Sequence, residues 1–133
     1  MKAAKVRQIT LENRLVSLNV LLHAALQKTK CDVDMALKYL DELINMPLDP
    51  LMLKKHPQIV RTISRLRRYV GDFPNALKIR EKAEIVFYKF TCLFTVPEET
   101  SHFLWWFNNS LETFRRQTEG MSTEDVNSML IVD

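Results

Sequence analysis

The chain has 133 residues, of which 47% are hydrophobic and 26% are charged, with only two glycines and five prolines. This composition predicts a single globular domain with long helices and little sheet. It argues against a membrane protein or a secreted one, since no apolar run approaches the roughly 18 residues of a membrane span and the N-terminus lacks the apolar region of a secretory signal. The two widely separated cysteines, Cys31 and Cys92, favour free thiols in a reducing compartment.

The formal net charge of +3 conceals two regions of opposite sign. Residues 54–90 carry ten lysines and arginines against three acidic residues, a net charge of +7. Residues 98–133 carry two arginines against seven acidic residues, a net charge of −5. The basic centre indicates an anionic partner, either nucleic acid or an acidic peptide, although a solvated helix face gives the same pattern.

Helical spacing of apolar residues begins at Ile9. Residues 1–8 are basic and aperiodic, and we expect them to be frayed. Leucines at positions 11, 15, 18 and 22 predict an amphipathic helix over about residues 9–27. Asp32 is placed to cap a second helix, whose apolar stripe runs from Val33 to position 44 and which Pro47 ends.

The stretch 57–94 is predicted to form the centre of the fold. After a short helical turn that Asp49 caps, Pro57 begins a basic helix with apolar residues at positions 60, 63, 66 and 70. Pro74 begins a long helix, which we expect to be almost wholly buried and to end before Pro97. Because short loops join antiparallel helices, the connections 28–32 and 69–74 are expected at the same end of the bundle.

A last amphipathic helix is predicted over residues 101–117, with a buried stripe that begins at Phe103. The sequence thus predicts an all-α domain of about five helices over residues 9–117. We expect residues 118–133 to be an acidic, flexible tail. The alternatives are that Ser122 caps a short helix, or that the apolar residues 129–132 dock in cis or in trans.

No catalytic or metal site is predicted. The three histidines lie in separate elements without metal-binding spacing, and glycines at 71 and 120 alone cannot form a phosphate-binding loop. A thiol paired with a distant histidine is the one conceivable nucleophile. We therefore expect a binding domain that is not an enzyme and has no cofactor.

Basic and aromatic side chains concentrate where the basic helix meets the next loop. Guanidinium groups bind both oxygens of a carboxylate or phosphate, so this cluster suits an acidic peptide with an apolar anchor. Nucleic acid is the alternative ligand, although the sequence shows neither a recognition helix nor aromatic residues on a sheet.

Three collinear blocks, DVDMALKYLDELINM, HPQIVRTISRLRRY and IREKAEIVFYKFTCLF, resemble the integrase-binding domain of the lens epithelium-derived growth factor and hepatoma-derived growth factor-related family. The resemblance covers about residues 11–95. It implies a right-handed helical bundle related to the N-terminal domain of elongation factor TFIIS. It also implies a monomeric, nuclear, chromatin-associated adaptor of a transcriptional coactivator, which binds disordered acidic motifs with phenylalanine anchors.

In the family, partners contact two loops at one end of the bundle and the basic helix between them. The match implies these partner-binding residues: Lys28, Thr29, Asp32, Arg65, Arg67, Arg68 and Tyr69. Val70 and Phe73, in the longer second loop, are expected to replace an apolar contact that the first loop lacks. This chain departs from the family pattern at Lys28 and Thr29, which stand in place of an apolar residue and a partner-binding aspartate, and its second loop is longer. We therefore predict a divergent, invertebrate member that binds a partner other than integrase, with nucleic acid as a secondary contact.

Overall fold

The computed structural model describes residues 2–27, 31–72, 74–94, 96 and 102–127, with side chains from Arg7 onward. These residues form seven α-helices and no strand, which confirms the all-α prediction. The helices are α1 (Lys2–Ala25), α2 (Val33–Asn45), α3 (Pro50–Lys55), α4 (Gln58–Leu66), α5 (Asn75–Cys92), α6 (Phe103–Thr118) and α7 (Thr123–Asn127).

Four helices form the bundle, in which α1 and α5 each pack against both α2 and α4. The stripes predicted from the sequence meet at its centre, where Leu18, Leu40, Ile63 and Phe90 are all fully buried. Each such side chain contributes roughly 1.5–3 kcal/mol through removal of its apolar surface from water. The bundle therefore places the ends of α1, α2, α4 and α5 at fixed positions relative to one another.

Two N-terminal caps form where the sequence predicts them. The Asp32 carboxylate accepts a hydrogen bond from the Met35 N–H at 3.2 Å, at the start of α2. The Asp49 carboxylate accepts one from the Met52 N–H at 2.8 Å, and Pro50 occupies the first turn of α3. Each cap satisfies a backbone donor that the helix itself leaves unpaired.

The C-terminus of α2 is capped by a lysine from another helix. Lys89 of α5 donates hydrogen bonds to the carbonyls of Leu43 and Ile44, both at 2.9 Å, and to that of Met46. A cation at a helix C-terminus also interacts favourably with the helix dipole. Burial lowers the pKa of Lys89. This side chain ties α5 to α2 through three backbone groups.

Aromatic rings attach α6 to the end of α5. Phe94 lies 5.5 Å from Phe107 and 5.7 Å from Trp106, measured between ring centroids, and Phe103 makes a T-shaped contact with Phe87 at 5.6 Å. Such pairs stabilise an interface beyond the area that they bury. The stripe predicted for the last helix is therefore its packing face.

Three boundaries or faces differ from the sequence predictions. Helix α1 begins at Lys2, since residues such as Lys, Ala and Arg favour helix without any apolar periodicity. Helix α4 ends at Leu66 in a tightened turn, where the Arg68 N–H donates to the Arg65 carbonyl at 3.0 Å. Val70 is therefore not part of the α4 stripe; it is 88% exposed.

The prediction that α5 is almost wholly buried is wrong. Its inner face packs on α2 and α4, whereas Leu77, Ile85 and Tyr88 lie on its exposed face. The buried residues of α5 all lie on the inner face: Ala76, Ile79, Ala83, Val86, Phe87 and Phe90. A helix at the surface of a bundle buries one face and leaves the other in solvent.

Part of the acidic C-terminal region is helical. The Ser122 hydroxyl accepts a hydrogen bond from the Asp125 N–H at 3.1 Å and so begins α7, as the alternative interpretation of this segment predicted. Lys55 donates to the Asn127 side-chain oxygen at 2.6 Å, which holds the end of α7 against α3. Residues 128–133 lie outside the described part of the chain.

Glu12 of α1 forms an ion pair with Lys55, the last residue of α3. Its carboxylate is 15% exposed and lies 2.6 Å from both Lys55 Nζ and His56 Nε2. Burial raises the pKa of Glu12, whereas the hydrogen bonds and charges of Lys55 and His56 lower it. Together these partners outweigh burial, so the pKa of Glu12 lies below the ordinary 4.5.

This lowered pKa predicts an acid-sensitive contribution to stability. A carboxyl whose folded-state pKa lies below its unfolded-state value stabilises the fold above the unfolded pKa and loses that contribution as the pH falls through the folded pKa. We expect Glu12→Gln to lower the free energy of unfolding by about 1–2 kcal/mol at pH 7 and to lose less stability than the wild type below pH 4.5. Urea unfolding across the acid range measures both, with Glu81→Gln at an exposed position as the control. Parallel pH profiles for wild type and Glu12→Gln would contradict this account.

Candidate functional site

The two connections predicted to share one end of the bundle do meet there. The Cys31 thiol, just before α2, lies 3.4 Å from the Tyr69 hydroxyl, just after α4. Beside this contact a cavity of about 450 Å³ is lined by residues 31–34 and by Asn75 at the start of α5. We call this region, formed by the described residues 31–34 and 65–75, the loop end.

Tyr69 is the central side chain of the loop end. Its ring lies against the backbone of Gly71, where an added Cβ would be 2.9 Å from the ring. Its own carbonyl accepts a hydrogen bond from Arg80 of α5 at 3.4 Å. The hydrogen bond with Cys31, together with burial and the charges of Cys31 and Asp72, raises the pKa of Tyr69 to about 12. The phenol is thus neutral and held in place between the two connections.

A groove of about 300 Å³ runs from Tyr69 along the seam between α1 and α4. Its walls combine apolar side chains with a polar and a basic rim: Leu22, His23, Leu26, Thr62, Arg65, Leu66 and Tyr69. The shape and the lining suit a small apolar side chain of a partner, flanked by a group that accepts hydrogen bonds.

The polar wall of this groove was not predicted from the sequence. The buried Thr62 hydroxyl donates to the Asn19 side-chain oxygen at 2.5 Å, and His23 Nε2 lies 3.2 Å from the same hydroxyl. The only sequence signal for this polar wall is the spacing of Asn19 and His23. They are four residues apart on α1, and residues at this spacing share a helix face. Their partner on α4 depends on how the two helices pack.

The arginines predicted to bind a partner fall into two groups. Arg65 and Arg68 are exposed, and Arg65 lines the groove. Arg67 turns toward α5 instead: its guanidinium lies 3.8 Å from the centre of the Phe87 ring, and its Nε is 3.2 Å from a Glu84 carboxylate oxygen without a hydrogen bond. A cation stacked on an aromatic face contributes to stability. The geometry thus gives Arg67 a packing role.

The remaining predicted residues have distinct positions. Asp32 is exposed, but its carboxylate caps α2 and its N–H donates to the Ala25 carbonyl at 2.6 Å, so it fixes the path of the first connection. Val70 projects into solvent beside Tyr69. Lys28, Thr29 and Phe73 lie outside the described residues.

The contact between Tyr69 and Cys31 predicts a measurable titration. In Cys31→Ala the hydrogen bond that contributes most to the raised pKa is lost, and we expect the pKa of Tyr69 to fall from about 12 toward the ordinary 10.0. At pH 11 the fraction of ionised Tyr69 should then rise from about a tenth to well over half. NMR of ¹³Cζ-labelled tyrosine measures this fraction.

Two variants make this titration specific. Cys92→Ala removes the other thiol and should leave Tyr69 unchanged, whereas Gly71→Ala should displace the ring and imitate Cys31→Ala. A Tyr69 pKa that stays near 12 in Cys31→Ala would show that the thiol contact does not form in solution.

Neither a metal site nor a membrane span is found among the residues that the structure describes. Among them no group of three histidine, cysteine or acidic side chains is placed to hold a metal ion. None of the described helices combines the length and the apolarity that crossing a membrane requires. The loop end therefore remains the best candidate for function.

Comparison with known protein families identifies a family model that matches the chain. The family model described as lens epithelium-derived growth factor (LEDGF) matches residues 12–117, which is most of the chain and runs from α1 through nearly all of α6. No solved structure matches the chain. The matched segment contains both connections of the loop end.

Proposed function

The chain belongs to the lens epithelium-derived growth factor (LEDGF) family, whose integrase-binding domain is a non-catalytic interaction domain, and from this premise we propose that it binds a partner protein through the loop end. The proposed ligand is a disordered acidic segment with a hydrophobic anchor. The proposed setting is a nuclear, chromatin-associated adaptor that acts in transcriptional coactivation.

The observation that carries this proposal is the position of Val70. Val70 is 88% exposed and directly follows Tyr69, which lines the apolar groove, while the exposed Arg68 directly precedes Tyr69. Apolar groups surrounded by cationic side chains fit a segment that has an apolar anchor and acidic flanks. The same arginines favour fast encounter with an anionic chain, because electrostatic attraction raises association rates.

The alternative ligand is nucleic acid, bound through the arginine face. Arg61, Arg65 and Arg68 are all exposed on or next to α4, which supports this alternative. Binding of that kind depends on phosphate contacts, so its affinity falls log-linearly with salt concentration and does not require the valine.

An amide chemical-shift titration separates the two ligands. We expect an acidic peptide containing phenylalanine to shift residues 28–32 and 65–76, whereas a short DNA duplex leaves them unchanged. A matched peptide with phenylalanine replaced by alanine should bind far more weakly. Shifts along residues 54–68 with DNA alone, and none with the peptide, would overturn the proposal in favour of nucleic acid.

A further inference from the structure

A second groove lies at the opposite end of α4 from the loop end. It has a volume of about 400 Å³ and separates the end of α3 and the start of α4 from α6. Its lining combines apolar and basic side chains: Lys54, Lys55, His56, Pro57, Leu111, Phe114, Arg115 and Thr118. We call it the α3–α6 groove. Both of its apolar α6 residues are nearly fully buried.

The end of α7, which follows α6 in the chain, contacts the wall of this groove. The Lys55 ammonium, in the groove wall, donates to the Asn127 side-chain oxygen at 2.6 Å. The described chain therefore ends beside the α3–α6 groove. The six residues that follow Asn127 span at most about 20–22 Å, which is enough to cross a groove of this size.

The sequence that follows Asn127 has the chemistry that the groove accepts. It reads Ser128-Met129-Leu130-Ile131-Val132-Asp133, one serine followed by four apolar residues and one acid. The apolar side chains match Leu111 and Phe114 at the base. The acid matches Arg115, a cation of the groove lining whose side chain is 67% exposed. Four adjacent exposed apolar residues are otherwise costly in water.

We propose that residues 129–133 bind in the α3–α6 groove of the same molecule. The groove is thus an interaction surface for a short apolar segment with an acidic end, and its occupant is the chain's own C-terminal segment. The tether through Asn127 favours this segment over a second copy, because a tethered ligand is present at high effective concentration. This inference is independent of the proposed function, since the two sites lie at opposite ends of α4.

Nuclear Overhauser effects (NOEs) on the 133-residue chain test the proposal directly. We expect NOEs between the methyl groups of residues 129–132 and the ring protons of Phe114, unchanged on dilution. In Leu130→Lys/Ile131→Lys these NOEs should be lost, and the amides of residues 54–57 and 111–118 should shift. The control, Val16→Lys/Val20→Lys, makes the same chemical change at exposed positions of α1 and should leave the groove amides unchanged.

Each other outcome overturns the proposal. NOEs that appear only between labelled and unlabelled molecules in a mixed sample would assign the groove to a second copy. Absent NOEs, with no shift of the groove amides in the tail variant, would show that the segment does not bind there. Peptide binding at the loop end is measured separately, in the tail variant as well as in the wild type, so failure of one proposal is distinguishable from failure of the other.

Discussion

Replacing Lys89 by methionine is expected to lower the free energy of unfolding by about 3 kcal/mol. The ammonium group donates to the carbonyls of Leu43, Ile44 and Met46, which are among the last backbone acceptors of α2 and have no partner within the helix. Methionine keeps most of the apolar stem but donates no hydrogen bond. The variant therefore leaves these carbonyls unpaired at a partly buried interface.

The matched control is Lys82→Met on the same helix. Lys82 pairs with Asp41 of α2, but the two side chains are 31% and 51% exposed, and exposed ion pairs contribute only about 0–1 kcal/mol. Urea unfolding followed by circular dichroism measures both variants, and the loss should appear as a lower midpoint with an unchanged slope. Equal, small losses for the two lysines would show that the cap contributes no more than a surface ion pair.

The contrast between the caps of α2 shows what the sequence can and cannot reveal. Asp32 caps the N-terminus from three residues away, so the pattern is local and was predicted. Lys89 caps the C-terminus from more than 40 residues away, and only the packing of α5 on α2 brings it there. Sequence periodicity predicts which face of α5 is buried, but not which backbone groups that face meets.

The candidate site shows the same limit. The short loops predicted that the two connections would share one end of the bundle, and the contact between Cys31 and Tyr69 confirms it. Arg67 and Arg68 are adjacent and look equivalent in sequence, yet Phe87 and Glu84 of α5 engage only Arg67. The end of α4 at Leu66, which places Val70 in solvent, follows from a tightened turn that apolar spacing does not encode.

The second large effect is expected at the loop end. If the proposed function holds, Val70→Ser should weaken binding of the acidic, phenylalanine-containing peptide at least tenfold, and Tyr69→Ala should weaken it more. Central apolar contacts contribute about 2 kcal/mol or more to an interface, whereas a single charge at the rim contributes about 1 kcal/mol or less. Arg68→Ala should therefore reduce affinity by less than either apolar variant.

Val70 gives the cleaner of the two apolar tests. Tyr69 also contacts Cys31 and Gly71, so its removal changes the shape of the loop, whereas Val70 is 88% exposed and its substitution should leave the unfolding midpoint unchanged. Val20→Ser, at a 62% exposed valine on α1, controls for loss of an exposed valine elsewhere and should bind like the wild type. Isothermal titration calorimetry at two salt concentrations measures the affinities. Wild-type affinity in Val70→Ser, combined with a steep salt dependence and a large loss in Arg68→Ala, would mean that charge alone holds the ligand, because only an anchored segment needs the valine.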